Sequence, residues 1–196
     1  VNEMFIYGIL STIIFLTLLP FYYIVRVIQK KYLYGWREKL GFLKSPDLGE
    51  KVIMLHGVSV GEIIALENLT KKIKETFPDY KIVITTGTKT GQDIAHKKYA
   101  EIADFITYFP FDIPFAVNSF LNKVRPSVVL IAETELWPNF AYYCKKKNIP
   151  LFVINGRISD STFNAYKRLK FFFKHILSNY TGLFTQSIED RDKLIA

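Results

Sequence analysis

From Val52 onward the chain alternates, with little interruption, between short apolar runs and stretches of helical periodicity. No other feature limits its fold as much. The apolar runs are Val52–Leu55, Ile82–Thr85, Phe105–Tyr108, Val128–Ala132, Leu151–Ile154 and Leu183–Thr185. Brief runs without polar alternation suit strands covered on both faces, as in parallel sheets. Between them lie helical patterns at Glu62–Thr76, Gln92–Ala100, Phe115–Val124, Asn139–Lys147 and Phe163–Leu177. Pro78, Pro126 and Pro150 each stand shortly before a strand, where a helix must have ended. Strand–helix alternation at this spacing predicts an α/β fold over residues 51–196, a doubly wound parallel sheet.

The N-terminal segment is of a different kind. From Met4 to Val25 there is no charged residue, and Ile, Leu, Phe and Tyr dominate. That is close to the length a helix needs to cross ~30 Å of hydrocarbon. Tyr22 and Tyr23 sit where an aromatic belt is expected, and Pro20 does not forbid a span. Arg26, Lys30, Lys31, Arg37 and Lys39 follow, against Glu3 alone on the other flank. Residues 4–25 therefore read as a single-pass transmembrane anchor that leaves the rest of the chain on the cytoplasmic side of the membrane. A cleaved signal peptide is the weaker alternative, because the run lacks a basic N-flank and a small-residue cleavage site. Residues 26–50 read as a basic linker punctuated by Gly41, Pro46 and Gly49.

The 196 residues suffice for one sizeable α/β domain with an appendage, not for two such domains. The last segment, Ser187-Ile-Glu-Asp190, has the form of a helix N-cap, and the chain is expected to be the first part of a longer protein. A formal net charge of +8 favours an anionic partner: nucleic acid, phospholipid headgroups or a phosphorylated substrate. No recognition-helix or aromatic-platform motif supports nucleic acid. Cys144 is the single cysteine, so no internal disulfide forms. With three histidines it offers no metal-ligand spacing, and no structural metal is expected.

In a doubly wound sheet, ligands bind in the loops that follow the strands. The first loop, His56-Gly57-Val58-Ser59-Val60-Gly61-Glu62, opens a helix whose free N–H groups and positive end suit an anion or a carboxylate. Glu62 is a candidate general base there. Ser59 and Glu62 also have the spacing of a capping box, and the sequence leaves both readings open. The Gly57-x-Ser59-x-Gly61 spacing matches a nucleophile elbow, so a membrane-anchored serine hydrolase using Ser59 is an alternative. Only His96 and His175 follow Ser59, and both fall within helical patterns. A non-catalytic module docking on anionic lipid is a further alternative.

The second loop, Thr85-Thr86-Gly87-Thr88-Lys89-Thr90-Gly91, is hydroxyl-rich and suits a phosphate or a sugar hydroxyl, or simply caps its helix. The fourth strand runs into Glu133-Thr134-Glu135-Leu136-Trp137-Pro138. If the strand conformation continues, its two carboxylates point to opposite sides, one to a cleft and one to a cap or a lysine. After the fifth strand, Asn155-Gly156-Arg157-Ile158-Ser159 offers Arg157 as an anion clamp.

Together these segments resemble the Kdo transferases, which attach 3-deoxy-D-manno-octulosonic acid (Kdo) to the lipid A precursor of lipopolysaccharide. The resemblance rests on Leu55–Glu62, Thr85–Gly91, Phe109-Pro110-Phe111-Asp112-Ile113-Pro114, Glu133-Thr134-Glu135-Leu136-Trp137-Pro138-Asn139 and Asn155–Ser159, in that order. The Glu-Leu-Trp-Pro segment is the most specific; Gly57 and Gly156 stand where the family more often has Ser or Ala. The resemblance implies the N-terminal Rossmann-like domain of a GT-B glycosyltransferase, holding the lipid acceptor (lipid IVA). The CMP-Kdo donor would be bound mainly by a second domain. It implies an inverting transfer without an obligatory metal or cofactor, Glu62 as the general base and Glu133 as a transition-state stabiliser. Ser59, Gly61, Thr86 and Arg157 are expected among the acceptor contacts.

Overall fold

The computed structural model describes residues 3–28, 34–44, 46–168 and 170–195. A long helix α1 (Glu3–Ile28) and a short helix α2 (Trp36–Lys39) precede the alternating domain. The domain runs β1 (Val52–Gly57), α3 (Val60–Ala65), α4 (Glu67–Thr76), β2 (Lys81–Thr86), α5 (Lys89–Tyr99), β3 (Phe105–Tyr108), α6 (Pro114–Val124), β4 (Val128–Ala132) and α7 (Pro138–Lys146). It continues with β5 (Leu151–Gly156), α8 (Asp160–Arg168), α9 (Lys170–Leu177), β6 (Gly182–Thr185) and α10 (Ile188–Ile195).

All strand pairs are parallel, in the order β3-β2-β1-β4-β5-β6. The side-chain alternation of β1 shows why both faces are covered. Val52 and Met54 join one core with residues of α6, α7 and α9, including Phe120, Phe140, Cys144 and Ile176. Ile53 and Leu55 join the other, with Ile63 and Leu66 before β2 and Ala95 and Tyr99 on α5. Successive residues point to opposite faces, so a strand apolar throughout must be sandwiched. The chain leaves β1 towards β2 and β3, then returns to β4 on its other side. This is the dinucleotide-binding strand order, and it opens a crevice beyond the C-terminal ends of β1 and β4.

Pro114 and Pro138 start α6 and α7, where the missing N–H costs nothing. The helix expected over Glu62–Thr76 is interrupted at Leu66, yet the bonds Leu66 N–H to Glu62 O and Thr70 N–H to Leu66 O continue the ladder across it. The helix expected over Phe163–Leu177 is resolved as α8 and α9.

The stretch expected to be a basic linker packs, over its described part, against the domain. Leu43 and Leu48 are buried in the α6–α7 core. The Glu38 carboxylate accepts from Thr107 Oγ1 at 2.9 Å and from the Tyr108 N–H at 3.1 Å, occupying polar groups of the edge strand β3. Lys30 and Lys31, expected to set the orientation of the N-terminal helix, lie outside the described residues.

Candidate functional site

The loops after β1 and β4 meet at the crevice that the strand order predicts. A cleft of about 470 Å³, within the usual range of small-molecule sites, is lined there by Glu62, Leu69, Glu133, Ile154, Asn155 and Thr185, among others. Glu62 and Glu133 come from elements 71 residues apart in sequence and face the same space.

Ser59 has extended backbone (φ −102°, ψ 167°) and caps α3. Its hydroxyl accepts the Glu62 N–H at 3.3 Å, while Glu62 Oε1 accepts the Ser59 N–H at 3.2 Å and Oε2 the Val58 N–H at 2.7 Å. The capping box is therefore formed. It does not exclude the base. Each carboxylate oxygen has two acceptor positions and spends one here, so the cap fixes the Glu62 rotamer and leaves capacity facing the cleft. Gly57 makes the tight passage possible, because a Cβ at this position would lie 3.1 Å from Glu62 Cβ. Ser59 and Gly61 are exposed beside it.

Glu133 departs from the expected strand continuation. β4 ends at Ala132, and Glu133 takes a left-handed conformation (φ 58°) while its N–H bonds Ile154 O at 2.9 Å. The simple alternation expected of Glu133 and Glu135 therefore fails. Glu133 is exposed at the cleft, and Glu135 is half-buried behind it. Burial, then the charges of Glu62 and Glu133, raise the Glu135 carboxyl above its usual range. Among the described residues no lysine pairs with Glu133 or Glu135. Three carboxylates thus share one pole of the sheet. Glu135 was not among the expected site residues, although its place in the Glu-Thr-Glu segment was a signal.

The remaining candidates divide. Thr86 does not reach the cleft: it is fully buried, and its hydroxyl donates to Gln92 Oε1 at 2.6 Å. Thr88 caps α5, accepting the Gly91 N–H at 3.0 Å. The hydroxyl-rich loop is thus largely committed to its own helix and to the loop after β1, against which Gly87 packs so closely that a Cβ would lie 2.9 Å from Val58 Cγ1. Arg157 is exposed, and its backbone exchanges two hydrogen bonds with Thr134 Oγ1, at 2.7 and 2.9 Å, tying the β5 loop to the Glu133 loop.

Beneath the site, His56 is fully buried and stacked on Phe109 with ring centroids 3.9 Å apart. Its Nδ1 lies 3.1 Å from Thr85 O, which only accepts, so Nδ1 carries the proton. Burial pushes its pKa down to about 3, and the ring is a neutral strut. Phe109 leads to Asp112, whose carboxylate accepts the N–H groups of Asn139 (3.1 Å) and Phe140 (2.8 Å). Asp112 thereby caps α7 from a distant loop; Trp137, at the N-cap, makes no side-chain cap.

The hydrolase alternative does not survive this geometry. A nucleophile elbow holds its serine in a strained turn with a histidine in reach. Ser59 is extended and serves as a cap, His56 is buried and committed to Thr85, and His96 bonds Gln92 at 3.3 Å.

Residues 34–196 match the family model of 3-deoxy-D-manno-octulosonic-acid transferase (kdotransferase). Over 148 residues the chain is 36% identical to a bifunctional glycosyltransferase/methyltransferase of Fusobacterium nucleatum, covering 75% of this chain and 23% of that protein. A 3-deoxy-D-manno-octulosonic acid transferase of Haemophilus influenzae is 35% identical over 118 residues, covering 60% and 27% respectively. The Chlamydia muridarum transferase is 31% identical over 157 residues, covering 80% and 36%. The chain thus spans well under half the length of these relatives. Among solved structures, a UDP-N-acetylglucosamine 2-epimerase matches with a TM-score of 0.51 at 10% identity, covering 75% of this chain and 45% of the other. The UDP-GlcNAc 2-epimerase of Neisseria meningitidis bound to UDP-GlcNAc matches with a TM-score of 0.52 at 14% identity, covering 74% and 43%. At such identities the likeness is one of fold alone.

Proposed function

The chain belongs to the Kdo transferase family, and from that premise we propose that it is the acceptor-side half of an inverting glycosyltransferase of lipopolysaccharide biosynthesis. The domain is α/β, with the Rossmann-like architecture of an N-terminal GT-B domain. The proposed reaction moves Kdo from CMP-Kdo to a lipid A precursor (lipid IVA), with the donor bound mainly by residues outside this chain.

Glu62 removes the proton from the acceptor's sugar hydroxyl as that oxygen attacks the anomeric carbon of Kdo. The bond from that carbon to the CMP phosphate oxygen breaks, CMP departs with the electron pair, and the configuration inverts. Glu133, across the cleft, stabilises the positive charge that develops on the sugar in the transition state. Ser59, Gly61 and Arg157 border the acceptor. The step as proposed uses no metal or cofactor. The enzyme works at the cytoplasmic face of the inner membrane, where α1 keeps it in the plane of its lipid acceptor.

The observation that carries this reading is the convergence of Glu62 and Glu133 on one cleft at the sheet's switch point, with Glu62 held by two backbone N–H groups. The test uses the full-length enzyme. Membranes containing wild type or Glu62→Gln are incubated with labelled CMP-Kdo and lipid A precursor. Loss of a general base lowers turnover by about 10²–10⁴-fold, so Glu62→Gln should be nearly silent while its abundance in membranes is unchanged. Substantial transfer by Glu62→Gln would reduce Glu62 to a helix cap. No transfer by folded wild type would overturn the substrate assignment.

A further inference from the structure

The apolar helix α1 does not stand clear of the domain, as a helix crossing a bilayer beside a cytoplasmic domain must. It lies along the domain's surface. Met4 is buried, and the Tyr7 hydroxyl donates to Asp112 at 3.4 Å. Gly8 passes so close to α6 and α7 that a Cβ there would lie 3.0 Å from Pro114 Cγ and 3.5 Å from Asn139 Oδ1. Asn139 Nδ2 donates to Ser11 Oγ at 3.1 Å. Phe15 packs on Phe111 and Trp36 with ring centroids 5.1 and 6.3 Å away, and the partly covered Leu19 lines the same groove as Trp36. Positions 4, 7, 8, 11, 15 and 19 form one stripe of a helix.

Length decides what this docking permits. From Met4 to Leu19 the helix rises about 22 Å, and the nine residues Pro20–Ile28 add about 13 Å. The hydrocarbon is ~30 Å thick. If the docked stripe stays on a domain bathed in water, what remains covers less than half a bilayer. If instead the stripe crosses the membrane, the surface beneath it sinks to the same depth, carrying Asp112, Asn139 and, beside Met4 and Phe5, Lys146. A charge at mid-bilayer costs several kcal/mol on any scale. A transverse helix and this interface exclude each other.

We propose that α1 is an in-plane anchor: it lies in the cytoplasmic leaflet with one face on the domain and the other in lipid, and it does not cross the membrane. This rests on the membrane location proposed above and replaces the single-pass expectation. It also explains why α1 is apolar all round, where a free interfacial helix keeps a polar face: here the second face is covered by protein. Phe5, Ile6, Ile9, Ile13, Leu16 and Phe21 are 45–68% exposed and form the face left for lipid. Phe42 and Phe115, in tilted contact with ring centroids 5.6 Å apart and both exposed, extend the apolar surface. Arg37 and Lys44, exposed on either side of Phe42 in sequence, meet anionic headgroups. One consequence concerns reach. α1 docks on the loop after β3 and on the first turns of α6 and α7, at the C-terminal end of the strands that also carries the Glu62 and Glu133 loops, so the lipid face and the site share one end of the sheet.

The test is depth. In the full-length enzyme, with Cys144→Ala and any cysteine outside this segment likewise replaced, nitroxides are attached at Phe5→Cys, Ile13→Cys or Phe21→Cys. The protein is bound to vesicles of phosphatidylethanolamine and phosphatidylglycerol, and depth is measured by paramagnetic relaxation. An in-plane helix puts all three labels at one shallow depth, on the side that bears the domain. A spanning helix puts Ile13 near the midplane, with Phe5 and Phe21 at opposite interfaces, and that result overturns the proposal. Failure of the protein to float with vesicles would overturn the membrane reading itself, and is a distinguishable outcome.

Discussion

Glu133 is held at φ 58°, a conformation that a β-carbon makes costly, by its N–H bond to Ile154 O and by the Thr134–Arg157 bonds beside it. Such strain at a cleft residue implies that the carboxylate is aimed at some cost in stability. Replacing Glu133 by Gly should relieve it and raise stability by about 1 kcal/mol, while activity falls with the loss of the carboxylate. Replacing it by Ala should lose the activity without the gain, because Ala keeps the Cβ. Melting temperatures and transfer rates of the three full-length proteins decide the matter. A Gly variant no more stable than the Ala variant would mean that the conformation carries no strain. None of this could be read from the sequence. Glutamate has no preference for positive φ, and the alternation argument assumed a strand that stops one residue earlier. Glu62 was legible because Ser59 lies three residues before it, and the structure bears out the cap while leaving the carboxylate at the cleft.

At the scale of elements, what was legible was periodic and local. The six apolar runs became the six strands, each within about two residues, because a strand covered on both faces must be apolar along its whole length. Contacts made at a distance were not legible. Glu38 reaches β3 from a segment that composition marked as a linker, and Asp112 caps a helix that begins 26 residues later. Asp112 carries a second prediction. The residue keeps some surface, but its carboxyl is packed between α1 and the start of α7, and burial raises its pKa to about 6 despite the N–H groups of Phe140 and Asn139. A carboxyl whose folded pKa is raised binds more protons folded than unfolded. Its contribution is full below the unfolded value near 3.8 and is lost as the pH rises through about 6. Asp112→Asn should therefore gain on the wild type between pH 4 and 6, and the gap should be flat above pH 7. The constant offset from the altered cap does not affect that slope. Denaturant unfolding across this range measures it, and parallel curves would show that Asp112 titrates normally.

For the whole molecule, the same carboxyl reports on whether α1 is docked, because Tyr7 and its neighbours cover it. The hydropathy of Met4–Phe21 announced a membrane helix and could not announce the docking, which depends on Gly8 and Ser11 facing Pro114 and Asn139 across more than a hundred residues of chain. Gly8→Leu is the change that separates the two roles. It leaves the segment as apolar as before, so a helix that merely anchors would be unaffected. A leucine at this position, however, has no room: its first carbon already sits 3.0 Å from Pro114 Cγ, tighter than ordinary contact, and Pro114 is fixed at the start of α6. The helix must lift from the domain. Vesicle flotation should then be unchanged or stronger, since the released face also enters lipid. The Asp112 carboxyl should return towards its usual range, and Asp112→Asn should lose its pH-dependent advantage in the Gly8→Leu background. Transfer to a lipid acceptor embedded in vesicles should fall several-fold, while transfer to a water-soluble acceptor fragment in detergent should not. If Gly8→Leu leaves both transfer to embedded acceptor and the pH slope intact, α1 is a tether and nothing more. If both change together, the fit of an apolar helix to the first turns of α6 and α7 is what holds the enzyme in register with an acceptor embedded in the membrane.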